Sequence, residues 1–145
     1  MEKLTLEHLS GYLSYGLKVK MNTTGNIYKV SGFRKSDDSF KYLFFTNSDC
    51  YSDECKPILH PLSDLTKEIT HNGETFVPME KLQNILDFDD DFEFTEELQI
   101  LLHNTEVTYY FPPNFFLQFY NKLYEWHFDI HGLIDKNLAI DINTL

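Results

Sequence analysis

Three short runs, residues 17–21, 27–33 and 40–46, are rich in β-branched, aromatic and aliphatic side chains, and two short polar links separate them. The links read Asn22-Thr23-Thr24-Gly25-Asn26 and Lys35-Ser36-Asp37-Asp38-Ser39. Gly and Asn tolerate left-handed backbone there, while Asp and Ser bond their own main chain, so both links are turn chemistry. Runs of this kind joined by turns predict an antiparallel β-meander. Thr5 is placed to cap a short helix ahead of it, over residues 6–14, with Leu6, Leu9 and Leu13 at helical spacing and Gly16 at its end.

Beyond the meander, residues 47–62 read as a loop containing Pro57 and Pro61, and residues 63–69 as a short segment. Asn72-Gly73 marks a tight turn into Thr75-Phe76-Val77. Pro78 opens a helix with Met79, Leu82, Ile85 and Leu86 on one face. A second helix is expected over residues 96–103, capped by Thr95, and a strand over 107–111. The longest helix is expected over residues 114–131, where Phe116, Phe119, Tyr120, Leu123, Trp126, His127 and Ile130 recur at three and four, and Gly132 ends it. The tail 133–145 is apolar enough to dock. The fold class is therefore α+β: an N-terminal short helix and antiparallel meander, then a mainly helical, acidic C-terminal half. Residues 1–145 are one domain's length, with no repeat or linker.

Thirteen Phe, nine Tyr and one Trp exclude a disordered acidic tail. Cys50 and Cys55, in a Ser/Asp/Glu loop, are expected to be reduced thiols, since one pair is no disulfide framework and half a zinc site at best. Residues 1–7 show no signal-peptide pattern, and no run approaches the ~18 apolar residues of a membrane span.

The net charge of −11 is unevenly placed. Residues 1–81 sum to −1 and residues 82–145 to −10. Between Lys81 and Lys122 there is no lysine or arginine, yet Asp87, Asp89, Asp90, Asp91, Glu93, Glu96, Glu97 and Glu106 all fall there. Within that run Leu86, Phe88, Phe92 and Phe94 share one parity, and Asp87, Asp89, Asp91 and Glu93 the other. If extended, it carries four carboxylates on one face about 6.6 Å apart, near the repeat of a nucleic-acid backbone. The bland alternative is a solvated edge that keeps the chain soluble. Asp87, Asp89 and Asp91 also match the first calcium-loop positions, but Phe92 and Leu98 stand where that loop needs Gly and Glu. His127, Asp129 and His131 suggest a metal-dependent hydrolase if all lie on one helix. However, Phe128 replaces the general-base Glu, and a hydrogen-bonded core histidine is the commoner outcome. No metal or cofactor is expected.

The meander is the one basic region: Lys18, Lys20, Lys29, Arg34, Lys35 and Lys41 against Asp37 and Asp38. Tyr28, Phe33, Phe40 and Tyr42 interleave with these bases. If bases and aromatics share a face, they can contact RNA by charge and stacking. If the aromatics point inward, the lysines merely solvate the outside. Overall charge disfavours free nucleic acid and anionic lipid as partners of the whole molecule. Arg34 is the sole arginine, which weakens a phosphate-clamp reading.

Three stretches carry a resemblance. The first is Leu4-Thr5-Leu6-Glu7-His8-Leu9 with Tyr15-Gly16-Leu17-Lys18-Val19. The second is Lys56-Pro57-Ile58-Leu59-His60-Pro61-Leu62-Ser63-Asp64-Leu65-Thr66-Lys67-Glu68-Ile69 running into His71-Asn72-Gly73-Glu74. The third is Glu125-Trp126-His127-Phe128-Asp129-Ile130-His131-Gly132-Leu133-Ile134 with Leu138-Ala139-Ile140-Asp141-Ile142-Asn143. Together they resemble small uncharacterised proteins encoded by phages and prophages of Bacteroidota. The resemblance brings no activity and no functional residues. It implies a small phage protein acting in the cytoplasm of an infected bacterium. With the acidic run and no catalytic motif, the expectation is a non-enzymatic inhibitor of the anti-CRISPR type. Asp87, Asp89, Asp91, Glu93, Glu96 and Glu97 would engage a basic nucleic-acid-handling host protein, such as a CRISPR effector with its guide RNA. The meander bases would add an RNA contact, with no membrane or free DNA as partner. An accessory phage protein with a merely solubilising acidic surface, or a metal-dependent hydrolase, are the alternatives.

Overall fold

The computed structural model describes residues 3–36, 39–44, 48–86 and 113–145. It combines helices with an antiparallel sheet in an α+β arrangement. Contacts gather in two compact units: one of Met1–Pro61 with Tyr124–Leu145, the other of Leu62–Leu123.

The first unit opens with α1 (Leu6–Leu9), which runs straight into a 3-10 helix, Ser10–Tyr15. The Thr5 amide donates to Nδ1 of His8 at 3.1 Å, so the helix start is satisfied from within its own first turn. Gly16, at φ +68°, closes the helical segment as expected. The sheet follows with strands β1 (Lys18–Met21), β2 (Ile27–Ser36), β3 (Ser39–Phe44), β4 (Asp49–Tyr51) and β5 (Cys55–Leu59). Near the C-terminus comes β8 (Ile140–Asp141). The strand order is β4-β3-β2-β1-β5-β8, antiparallel throughout except for the parallel β5–β8 pair. The predicted meander is present, and so is the docked tail.

The loop expected over residues 47–62 is instead two strands and a turn. Pro57 sits in β5 opposite Val19, although proline cannot donate to a ladder. A flat sheet would hold β4 and β5 about 19 Å apart at the usual ~4.8 Å per strand. Yet Cys50 on β4 and Cys55 on β5 have Cα atoms 6.9 Å apart. The sheet therefore rolls until its β4 edge meets β5. The turn between them is tied to both sides: Ser52 N donates to Phe40 O (3.0 Å) and Asn22 N to Glu54 O (2.9 Å). Cys50 and Cys55 form a disulfide, which overturns the expectation of two reduced thiols. Five sequence positions separate them, and the turn between them, closed by Glu54 N donating to Tyr51 O (2.9 Å), sets them side by side.

Inside the roll lie Leu9, Tyr12, Leu17, Val19, Val30, Phe40, Tyr42, Leu59, Leu133 and Ala139, all buried. Each large apolar side chain removed from water in this way stabilises the fold by about 1.5–3 kcal/mol. Tyr12 is fully buried, with its hydroxyl donating to Phe128 O and its ring edge-on to Tyr124 at 4.8 Å. Burial raises the phenol pKa well above the ordinary value, so Tyr12 is a permanent donor.

In the second unit a 3-10 turn (Leu62–Thr66) leads to a hairpin of β6 (Ile69–His71) and β7 (Glu74–Phe76). Asn72 and Gly73 both take positive φ, +51° and +82°, as a two-residue hairpin turn requires. Helix α2 (Pro78–Leu86) begins at the expected proline and buries Met79 and Leu82. Lys81 bonds Glu74 at 2.7 Å and stands 4.2 Å from the Phe76 ring centroid, tying α2 to β7.

Helix α3 (Pro113–Glu125) is shorter than expected. His127 adopts φ +60°, which no continuing helix allows. The correction matters for chemistry, because His127 and His131 do not share a helical face. The helix over 96–103 and the strand over 107–111 lie outside the described residues.

Candidate functional site

The six acidic candidates, Asp87, Asp89, Asp91, Glu93, Glu96 and Glu97, lie outside the described residues. The basic candidates are on β1, β2 and β3. Residues directly opposite each other on neighbouring strands project from the same face, so the register assigns each base a side.

Lys18 pairs with Lys29, and Lys20 with Ile27, across β1 and β2. Lys20 also faces Lys56 across β1 and β5. Arg34 faces Lys41 across β2 and β3, and Lys41 faces Tyr51 across β3 and β4. All of these share the outer surface of the roll, because the intervening residues Val19, Tyr42, Cys50 and Cys55 are buried. Lys35 pairs with buried Phe40 and so belongs to the other side. Lys56 takes its place, a base that local composition conceals because Pro57 and the Ser/Asp/Glu turn before it resemble a loop.

The arrangement depends on one residue. The β2–β3 register slips between Val30 and Gly32, a bulge that inserts Ser31 as an extra residue on β2. Without it, strict alternation from buried Val30 would turn Arg34 inward and Phe33 outward. With it, Phe33 packs at 5.3 Å from Tyr42 and 5.7 Å from Phe40, while Arg34 is exposed. An isolated glycine within a strand is the signal that marks such a bulge, and Gly32 is that glycine.

Tyr28, Phe33, Phe40 and Tyr42 all pack on the core. The stacking platform that the interleaved pattern offered does not form, and the aromatics are structural. The outer face has different neighbours: Ile27, 47% exposed, and Tyr51, 43% exposed. Lys41 Nζ lies 4.5 Å from the Tyr51 ring centroid and 3.6 Å from Asp49.

Three cation pairs thus sit in direct register: Lys18/Lys29, Lys20/Lys56 and Arg34/Lys41. Like charges directly opposite on a sheet are destabilising by about 0.2–1 kcal/mol each. Among the described residues no carboxylate is within ion-pair reach of Lys18, Lys20, Lys29 or Arg34. Lys56 donates to a neutral acceptor, Asn137 Oδ1, at 3.0 Å. Lys29→Glu is therefore expected to stabilise the protein by about 0.5 kcal/mol or more, seen as a higher urea midpoint at unchanged slope.

The residues of the hydrolase alternative are engaged internally. Asp129 is 5% exposed, and its two carboxylate oxygens accept from Leu133 N (2.7 Å) and Ile134 N (2.9 Å). His127 Nε2 is 2.7 Å from Tyr15 O. His131 Nε2 is 3.2 Å from the Tyr124 hydroxyl, and its ring lies 5.6 Å from that of His8. Among the described residues no three His, Cys, Asp or Glu side chains are grouped to hold a metal ion.

Burial disfavours the charged form of His131, and nearby His8 adds to this, against the opposing pull of Asp129, so its pKa is lowered. As pH falls below the ordinary histidine value of ~6.5, the unfolded chain takes up that proton first. The stabilisation held above that pH is thus lost on acidification. His131→Gln is expected to reduce the drop in urea midpoint between about pH 7.5 and about pH 5.5.

No protein-family model, curated protein or solved structure matches the chain. Among the described residues no helix is long and apolar enough to cross a membrane.

Proposed function

We propose that this chain is a phage-encoded, non-enzymatic inhibitory binding protein of the anti-CRISPR type. Its acidic run docks on a basic, nucleic-acid-handling host protein, such as a CRISPR effector carrying guide RNA, in the cytoplasm of the infected bacterium. The observation that carries the reading is the division of charge: eight carboxylates and no lysine or arginine between Lys81 and Lys122. The C-terminal half in this reading is mainly helical and acidic, with α2 and α3 flanking the run. A row of fixed negative charge suits a groove lined by Lys and Arg, where complementarity accelerates encounter and excludes wrong partners. The internal hydrogen bonds of Asp129 support a binding role over a hydrolytic one, because both oxygens are already committed to backbone amides.

The test is charge reversal of Asp87, Asp89, Asp91 and Glu93 to lysine, with Glu96 and Glu97 as a second set. Binding to a purified effector–guide complex is expected to weaken by about a hundredfold or more, since each like-charge juxtaposition costs several kcal/mol. A folded variant that binds and inhibits undiminished would leave the acidic run as a solubilising surface only.

A further inference from the structure

We infer that the outer face of the rolled sheet is a docking surface for the sugar-phosphate backbone of a single-stranded nucleic acid. The cations that define it are Lys18, Lys20, Lys29 and Lys56, extended beyond the bulge by Arg34 and Lys41. This goes beyond the acidic-run reading and does not depend on it.

The first argument is the register. Three like-charge pairs stand opposite each other on one face of a sheet whose chain has nearly twice as many acids as bases, 23 against 12. Solubility does not require this, since net charge already supplies it. Among the described residues no carboxylate stands within ion-pair reach of Lys18, Lys20, Lys29 or Arg34, so nothing there offsets their mutual repulsion. A bound polyanion relieves the repulsion of all of them at once.

The second argument is chemical. Five of the six cations are lysines, which act as point charges toward phosphate and lack the bidentate fork of arginine that reads bases. The face should therefore bind backbone without sequence preference. Lys18 and Lys20 are two positions apart on β1, about 6.6 Å. Each has a second lysine across the ladder, about 5 Å away. Lys29 flanks Lys18 from β2 and Lys56 flanks Lys20 from β5, so the four bases run diagonally across three strands and can neutralise successive phosphates along one path. Beyond the bulge, Tyr51 exposes a ring beside Lys41, the combination on which an unpaired base stacks.

The third argument separates nucleic acid from an acidic peptide. An extended peptide gains affinity by adding to a sheet edge, where main-chain groups are unpaired. These lysines are on the face of interior strands, where no main-chain partner is offered. Single strands, by contrast, lie across sheet faces. The overall −11 charge opposes association only weakly at physiological salt, because charges more than about 8 Å from the docked strand are largely screened.

The experiment is fluorescence anisotropy of a labelled twelve-nucleotide oligouridylate titrated with the full chain across a salt series. The affinity is expected to fall with a log–log slope of about −3, as four phosphate contacts on a single strand would give. Lys29→Glu should weaken binding about tenfold at low salt while raising the melting temperature. Lys35→Glu, which changes net charge equally but lies on the other side, should leave binding unchanged. The proposal is overturned if the oligonucleotide shows no salt-dependent binding, or if Lys35→Glu weakens it as much as Lys29→Glu. It is also overturned if polyglutamate of equal length binds more tightly.

Discussion

Asp129→Ala is expected to destabilise the protein by about 3–5 kcal/mol, because hydrogen bonds to a charged acceptor are worth ~1.5–3 kcal/mol each and their loss strands buried donors. Two amides depend on this carboxylate, Leu133 N and Ile134 N. They form a turn that continues through Asn137 N to Ile134 O and Leu138 N to Leu133 O, both near 3 Å. That turn delivers buried Leu133 and Ala139 to the core and leads β8 alongside β5. Main-chain bonds hold the other side of Asp129 in place: Asp129 N donates to His60 O and His60 N to His127 O, each at 2.8 Å. Asp129→Asn keeps one acceptor and is expected to lose roughly half as much. Urea unfolding followed by tryptophan fluorescence measures both, since Trp126 is buried three residues away. For a domain whose total stability is ~5–15 kcal/mol, that loss is a large fraction of the whole and should lower the urea midpoint markedly. A shift in stability below about 1 kcal/mol would show that the turn holds without its carboxylate.

Gly11→Ala is expected to destabilise by about 1–3 kcal/mol, the usual penalty for overpacking a core. A Cβ at position 11 would come within 2.4 Å of the Tyr124 ring. The ring cannot simply swing away. It packs edge-on against Tyr12 at 4.8 Å, and its hydroxyl meets His131. The glycine is therefore kept for space and not for backbone freedom, since its φ is not among the positive ones. The double variant with Tyr124→Leu should recover part of the loss, because the clash is shared between the two sites. The coupling in a double-mutant cycle is the quantity to measure. Additive effects would mean that position 11 destabilises by another route.

Much of the fold was legible locally. Gly16 ends the first helical segment, Asn72-Gly73 makes the hairpin turn and Pro78 starts α2, because each rests on the φ that one residue type permits. The meander was legible because turn residues punctuate it. Residues 47–62 were not, since Pro57 and a Ser/Asp/Glu turn read as loop while their strands exist through pairing with β3 and β1. The length of α3 is not legible locally either. The apolar spacing continues to Ile130, but Asp129 and the bridge to His60 draw the chain out of the helix after Glu125.

The candidate site divides along the same line. By itself the sequence determined that this chain is polarised, with its bases gathered in the meander and its acids beyond Lys81, because charge is a property of composition along the chain. Which bases act together was decided by the tertiary structure. One inserted residue, Ser31, turns Arg34 outward and Phe33 inward. A rolled sheet brings Lys56 beside Lys20 from 36 positions away, and the register sets Lys35 apart. A strand's two faces differ by a single step, so an inserted residue reassigns every side chain after it, and no local pattern reports on which step the partner strand will take.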